Sequence, residues 1–116
     1  MKHTGSCHCG RIKFEAEGDI ASVMSCNCSI CQRRGSLLWF VPLSALHLLT
    51  PEEDSSVYTF HKHVIQHRFC PHCGIHAYGE ALAPSGERMA AINARCLEGI
   101  DLEAIPVKHF DGRSMP

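Results

Sequence analysis

Three thiols within six residues, Cys26, Cys28 and Cys31, are followed at once by Arg33, Arg34 and Gly35. A Cys-x-Cys-x2-Cys run can wrap one ion, because zinc-bound thiolate sulfurs sit about 2.3 Å from the metal. Three ligands leave a tetrahedral ion one position short, and an open position marks a catalytic rather than a structural site. The alternative is a closed site with a fourth ligand from elsewhere, for which Cys96 is the candidate. The other thiols come in pairs, Cys7 with Cys9 and Cys70 with Cys73. Cys70-Pro71-His72-Cys73-Gly74 has the form of a zinc knuckle, two thiols at x2 spacing on a turn released by glycine. Each pair needs two more ligands, so together they make one closed four-cysteine site. Grouping Cys26, Cys28 and Cys31 with Cys70 or Cys73 instead would strand Cys7 and Cys9.

Eight cysteines in 116 residues could also form disulfides. Nothing at the N-terminus, Met1-Lys2-His3-Thr4-Gly5-Ser6, resembles an apolar signal region, so a cytoplasmic chain is expected. Thiols stay reduced there and clusters read as metal sites. A formal charge of −1 argues against a nucleic-acid footprint. No apolar run approaches the roughly 20 residues of a membrane span. Of nine histidines, His8 and His72 sit between cysteines and are expected to point away from metal. His61, His63 and His67 share one phase of a hairpin and are expected at the surface. His109 could sit near a site, but no histidine is expected to bind metal.

The elements that must position these thiols are short. Ile12, Phe14 and Ala16 alternate with charged residues, which predicts a half-buried strand over 11–17. A second strand over 20–25 delivers Cys26. Ser29 would cap a helix over 30–34 that Gly35 ends. Residues 36–41 read as a buried strand stopped by Pro42, 43–49 as a helical turn on the core, and 50–56 as a solvated acidic connector. A hairpin of 57–60 and 64–69 leads into the knuckle. Strands over 75–78 and 88–93 flank a loop over 79–86, and one more short strand lies in 105–112. Residues 1–116 read as a single zinc-binding domain, oligomeric state open.

Gly5-Ser6-Cys7-His8-Cys9-Gly10, Cys26-Asn27-Cys28-Ser29-Ile30-Cys31, Arg68-Phe69-Cys70-Pro71-His72-Cys73-Gly74 and Asn93-Ala94-Arg95-Cys96-Leu97 together resemble the glutathione-dependent formaldehyde-activating enzyme family. The domain of centromere protein V is similar. The resemblance implies a mainly β fold of two small antiparallel sheets, a β-tent. It implies a structural zinc on Cys7, Cys9, Cys70 and Cys73, and a catalytic zinc on Cys26, Cys28 and Cys31. It also implies a carbon–sulfur lyase activity that joins formaldehyde to glutathione. The chemistry is coherent by itself. Zinc on three thiolates is a poor activator of water but soft enough to welcome a fourth sulfur. A thiol entering there loses its proton, and the thiolate is the nucleophile. Arg33, Arg34 and Arg95 could hold the carboxylate of a peptide thiol, or serve as surface charge or partners of the cysteine cluster. Cys96 is expected near the three-cysteine site without binding its ion. The competing classes are a zinc-stabilised binding module and a thiol redox or metal-handling protein.

Overall fold

The structure, a computed structural model, describes residues 1–114. It is mainly β, in two sheets. Strands β1 (Lys2–Ser6), β2 (Lys13–Glu17) and β5 (Leu46–Leu48) form a three-stranded antiparallel sheet in that order. The larger sheet has seven strands. They are β3 (Val23–Cys26), β4 (Leu38–Pro42), β6 (Ser56–Tyr58), β7 (Gln66–Phe69), β8 (His76–Leu82), β9 (Arg88–Asn93) and β10 (Val107–Phe110). Their order is β10-β3-β4-β9-β8-β7-β6. Only β10 runs parallel to its neighbour, β3. Among the described residues the one α-helix, α1, spans Ser29–Arg34.

Period-2 alternation decides what each face of the large sheet does. Trp39, Val41, Ala90 and Ile92 are buried toward the small sheet, which contributes Phe14 and Ala16. Phe14 meets Tyr78 across the gap with ring centroids 6.3 Å apart. Burying side chains of this size contributes about 1.5–3 kcal/mol each. Cys7 and Cys70 lie in this same core. Leu38, Phe40 and Ala91 take the opposite phase. With Met24, Ile30 and Cys31, Leu38 and Ala91 form a second apolar cluster on the far face. The two thiol groups therefore belong to different faces of one sheet.

Several elements differ from the sequence expectation. Lys2–Ser6, too polar to show a pattern, is a strand because its register with β2 is complete from Lys2↔Glu17 to Ser6↔Lys13. The segment read as a helical turn is a short 3-10 turn, Leu43–Ala45, followed by β5. Leu46 and Leu48 alternate about exposed His47, and β2 supplies the backbone partners. The first half of the expected loop at 79–86 is strand, since β8 continues to Leu82; residues 83–86 are the loop. Gly79 fits mid-sheet because a Cβ there would already touch the Gln66 carbonyl at 3.4 Å. The acidic connector is tied down, with Glu52 paired to Arg68 and the Asp54 carbonyl accepting from Arg11. Among the described residues no helix is long and apolar enough to cross a membrane.

Candidate metal centres and active site

Two turns of similar construction meet at the edge of the core. After β1 the chain doubles back at Gly10 (φ +85°), and after β7 at Gly74 (φ +77°). Both angles lie where glycine is favoured. The turns bring the Sγ atoms of Cys7, Cys9, Cys70 and Cys73 within 4.8 Å of one another. Cys9 lies 3.8 Å from Cys7 and 3.5 Å from Cys70. A tetrahedral ion with bonds of about 2.3 Å would space its sulfurs about 3.8 Å apart. Backbone N–H groups already point at sulfur, Ile12 at Cys7 (3.3 Å) and His72 and Cys73 at Cys70 (both 3.4 Å). Burial opposes ionisation of Cys73, but the N–H groups of Cys9 and Ile75 outweigh it and pull the thiol to about 6. The Arg11 N–H lowers Cys9, yet its contact with Cys70 and burial prevail and push it to about 11. Like-charging groups at this spacing cannot all ionise alone. A divalent cation would let all four do so, so the donor set fits a metal.

The second cluster, Cys26, Cys28 and Cys31, also has its Sγ atoms within 4.8 Å of each other. Cys26 ends β3. Cys28, not Ser29, is the helix N-cap; its backbone is extended (φ −65°, ψ 168°) and no side chain caps the helix. Gly35 closes the helix with φ +74°, as its position suggests. The Cys28 N–H donates to Cys26 Sγ at 3.4 Å. Burial, then Cys28, pushes the Cys31 thiol up to about 12. Burial also opposes ionisation of Cys28, but the Cys31 N–H and the two neighbouring thiols lower it.

The three arginines part company here. Arg34 turns inward, with Nη2 donating to Cys31 Sγ (3.7 Å) and Nη1 to His67 Nδ1 (3.1 Å). Burial works against its charge, and Cys31 is the first group to favour it. Guanidinium only donates, so His67 Nδ1 must accept and its proton sits on Nε2. Arg33 stays exposed, donating to the Ser29 carbonyl of its own helix (2.8 Å). Arg95 donates to the Gly35 carbonyl (3.2 Å) and is likewise exposed.

His67 is not at the surface. It is 7% exposed, because Gly79 is its cross-strand partner and the ring of Phe60 stacks 5.5 Å away. Burial, then Arg34, lowers it to about 4. His76, 6% exposed, shares a bond with Ser36 Oγ (3.0 Å) and is lowered to about 3 by burial and then Arg34. His61, His63, His8, His72 and His109 are exposed.

Cys96 lies beside the other cluster. Its thiol points at the His76 carbonyl (3.5 Å), and burial followed by Cys7 and Cys73 pushes it up to about 11. The Asn93–Leu97 motif reaches the core side because the chain leaves β9 in a 3-10 turn, Ala94–Cys96, and Leu97 bridges to Gly5 of β1; the Asn93 side chain holds the His76 carbonyl at 2.9 Å.

Residues after β10 run across the three thiols. A Cβ on Gly112 would lie 2.5 Å from Cys26 Sγ and 3.1 Å from Cys28 Cβ. Asn27, between two of the cysteines, holds this segment: its Nδ2 donates to Asp111 Oδ1 and its Oδ1 accepts from the Arg113 N–H, both at 2.9 Å. Sequence reasoning missed Asn27 and Gly112; a Cys-Asn-Cys triplet is the only trace. Beside the cluster a cavity of about 200 Å³ opens, reaching all three thiols and walled mainly by Ile30, Phe40, Phe60, Ile65, Ala81 and Ala91. A shallower recess of about 260 Å³, sharing Ile30 and Phe60, carries Ser29, Arg33 and Tyr58.

Two sheets carrying two thiol clusters fit for metal ions define the class of protein. The sequence model of the glutathione-dependent formaldehyde-activating enzyme family matches residues 2–110, and the chain belongs to that family. A crystal structure of a Rhodobacter sphaeroides protein superimposes with a TM-score of 0.77, at 32% identity, covering 93% of this chain and all of that one (100%).

Proposed function

We propose that this chain is a zinc-dependent carbon–sulfur lyase or synthase, joining a glutathione-like thiol to a small aldehyde such as formaldehyde. Cys7, Cys9, Cys70 and Cys73 would hold a structural zinc that staples a β-tent, the whole acting as a single zinc-binding domain. Binding of such ions is worth about 10–16 kcal/mol in isolated zinc-finger peptides. Cys26, Cys28 and Cys31 would hold a second, labile zinc. That ion would supply a soft open position in which a substrate thiol sits as thiolate.

The observation that carries this reading is the asymmetry of the clusters. One has four thiols; the other has three and, among the described residues, no fourth histidine, cysteine, aspartate or glutamate within ligand spacing. All three thiols of that cluster line a cavity, which supports an open position there. Around it the chain's own residues do four things. Arg34 offsets the thiolate charge through Cys31, and His67 holds Arg34 in place. Arg33 offers a cation to a carboxylate of the thiol. The segment at Gly112 packs against Cys26 and Cys28. In the forward reaction the sulfur–carbon bond forms and the carbonyl π pair moves to oxygen. The oxygen then takes up the equivalent of the proton the thiol gave up.

Proton uptake and release on mixing glutathione with the zinc-loaded protein, followed by exchange spectroscopy of the glutathione–formaldehyde adduct, tests this. Glutathione binding should release a proton, and adduct exchange should exceed the uncatalysed rate. A protein that binds neither thiol nor aldehyde would be a zinc-stabilised binding module instead.

A further inference from the structure

Resting on that reading, we propose that the aldehyde partner is larger than formaldehyde: an uncharged carbonyl compound with an apolar body of about six to eight heavy atoms, seated in the cavity beside Cys26, Cys28 and Cys31. Volume is the first argument. The cavity measures about 200 Å³, and an apolar cavity of about 150 Å³ is enough to hold benzene. Formaldehyde has two heavy atoms and would leave most of it empty.

The walls are the second argument. The floor is one row across the sheet, Phe40, Ala91, Gly79 and His67, successive partners in register. Rings stand at its ends and the two small residues lie between them, so the sheet itself forms a trough. Ala81, Ile30 and Ile65 add further apolar surface. A charged tripeptide does not suit such walls, since burying an unpaired charge is costly. The third argument is charge. Among the described residues the only Lys or Arg lining the cavity is Arg34, already engaged by Cys31 and His67. Arg33, bonded to the Ser29 carbonyl and with no acidic partner among the described residues, lies in the adjoining recess instead. The two recesses thus divide the reactants: the charged thiol beside Arg33, the apolar aldehyde in the trough, with sulfur and carbonyl carbon meeting at the thiol cluster. The step is RSH + R′CHO → RS–CH(OH)R′. A carbon–sulfur bond forms, the C=O π pair goes to oxygen, and water returns to that oxygen the proton the thiol loses.

Three unreactive probes test this on the zinc-loaded protein: benzamide, benzoate of the same size but charged, and acetamide lacking the ring. Benzamide should bind, with amide shifts concentrated at Ile65, Gly79, Ala81 and Ala91. Benzoate and acetamide should bind at least about tenfold more weakly. Ala81→Leu, which narrows the trough, should weaken benzamide about tenfold or more with unchanged zinc content. Benzaldehyde should show a KM at least about tenfold below that of formaldehyde with glutathione as thiol. Benzoate binding as well as benzamide, or shifts outside the trough, would overturn the proposal even if Ala81→Leu fails to fold. Turnover of formaldehyde without benzamide binding refutes this inference and leaves the lyase reading standing. Benzamide binding without glutathione binding refutes the lyase reading and keeps the cavity assignment.

Discussion

Gly112→Ala should loosen one zinc and not the other. The added Cβ would stand 2.5 Å from Cys26 Sγ and 3.1 Å from Cys28 Cβ, where ordinary contacts lie near 3.5–4.0 Å. Something must move by about 1 Å. If the segment lifts, it strains the two 2.9 Å bonds to Asn27, each worth about 1 kcal/mol. If Cys26 turns away, the cluster loses its geometry. Either route costs about 1–3 kcal/mol, the range for overpacking, which is about a 5- to 150-fold loss of zinc affinity at that site. Competition with a chromophoric chelator resolves the two ions. The four-cysteine ion should titrate as in the parent protein and the three-cysteine ion should leave earlier. Unchanged affinity at both sites would refute the reasoning that this backbone must pass so close to Cys26.

Cys70→Ser should unfold or aggregate the protein, whereas Cys28→Ser should stay folded with less zinc, as circular dichroism and metal analysis will show; equal loss of fold would contradict the division. Arg33→Gln should weaken glutathione more than mercaptoethanol by calorimetry, by at most a few kcal/mol, the range for a hydrogen bond to a charged group. Arg34→Gln should instead weaken zinc at the three-cysteine site, because its guanidinium faces Cys31 and not the recess. Burial of His67 lowers its folded value to about 4 from 6.5, so the unfolded chain binds the extra proton between those values. Its contribution is complete above about pH 6.5 and is lost as pH falls toward 4, about 3 kcal/mol in all. His67→Phe should flatten the pH dependence of urea unfolding by one proton across that window.

The spacing of the cysteines made the clusters legible, since Cys-x-Cys and Cys-x2-Cys leave few geometries for four sulfurs. The β2 alternation and the β9 limits were equally plain. What could not be read was whatever depended on a partner across the sheet. His67 looks like a hairpin surface residue until Gly79 is placed opposite it. Gly79 itself reads as a loop signal until the Gln66 carbonyl is seen beside it. Cys96 was expected with the nearer-looking site, and only the 3-10 turn after β9 and the bridge from Leu97 to Gly5 of β1 carry it to the other face. Arg33 and Arg34 look equivalent in sequence, but a helix turns adjacent residues about 100° apart, so one faces sulfur and the other solvent.

Zinc X-ray absorption before and after glutathione bears most directly on the central claim. With one four-thiolate and one three-thiolate ion, the average should be about 3.5 sulfurs per zinc at about 2.3 Å, rising to about 4 when glutathione is added. An average of four sulfurs before the thiol is added, or no change after it, would contradict an open, thiol-accepting site on Cys26, Cys28 and Cys31.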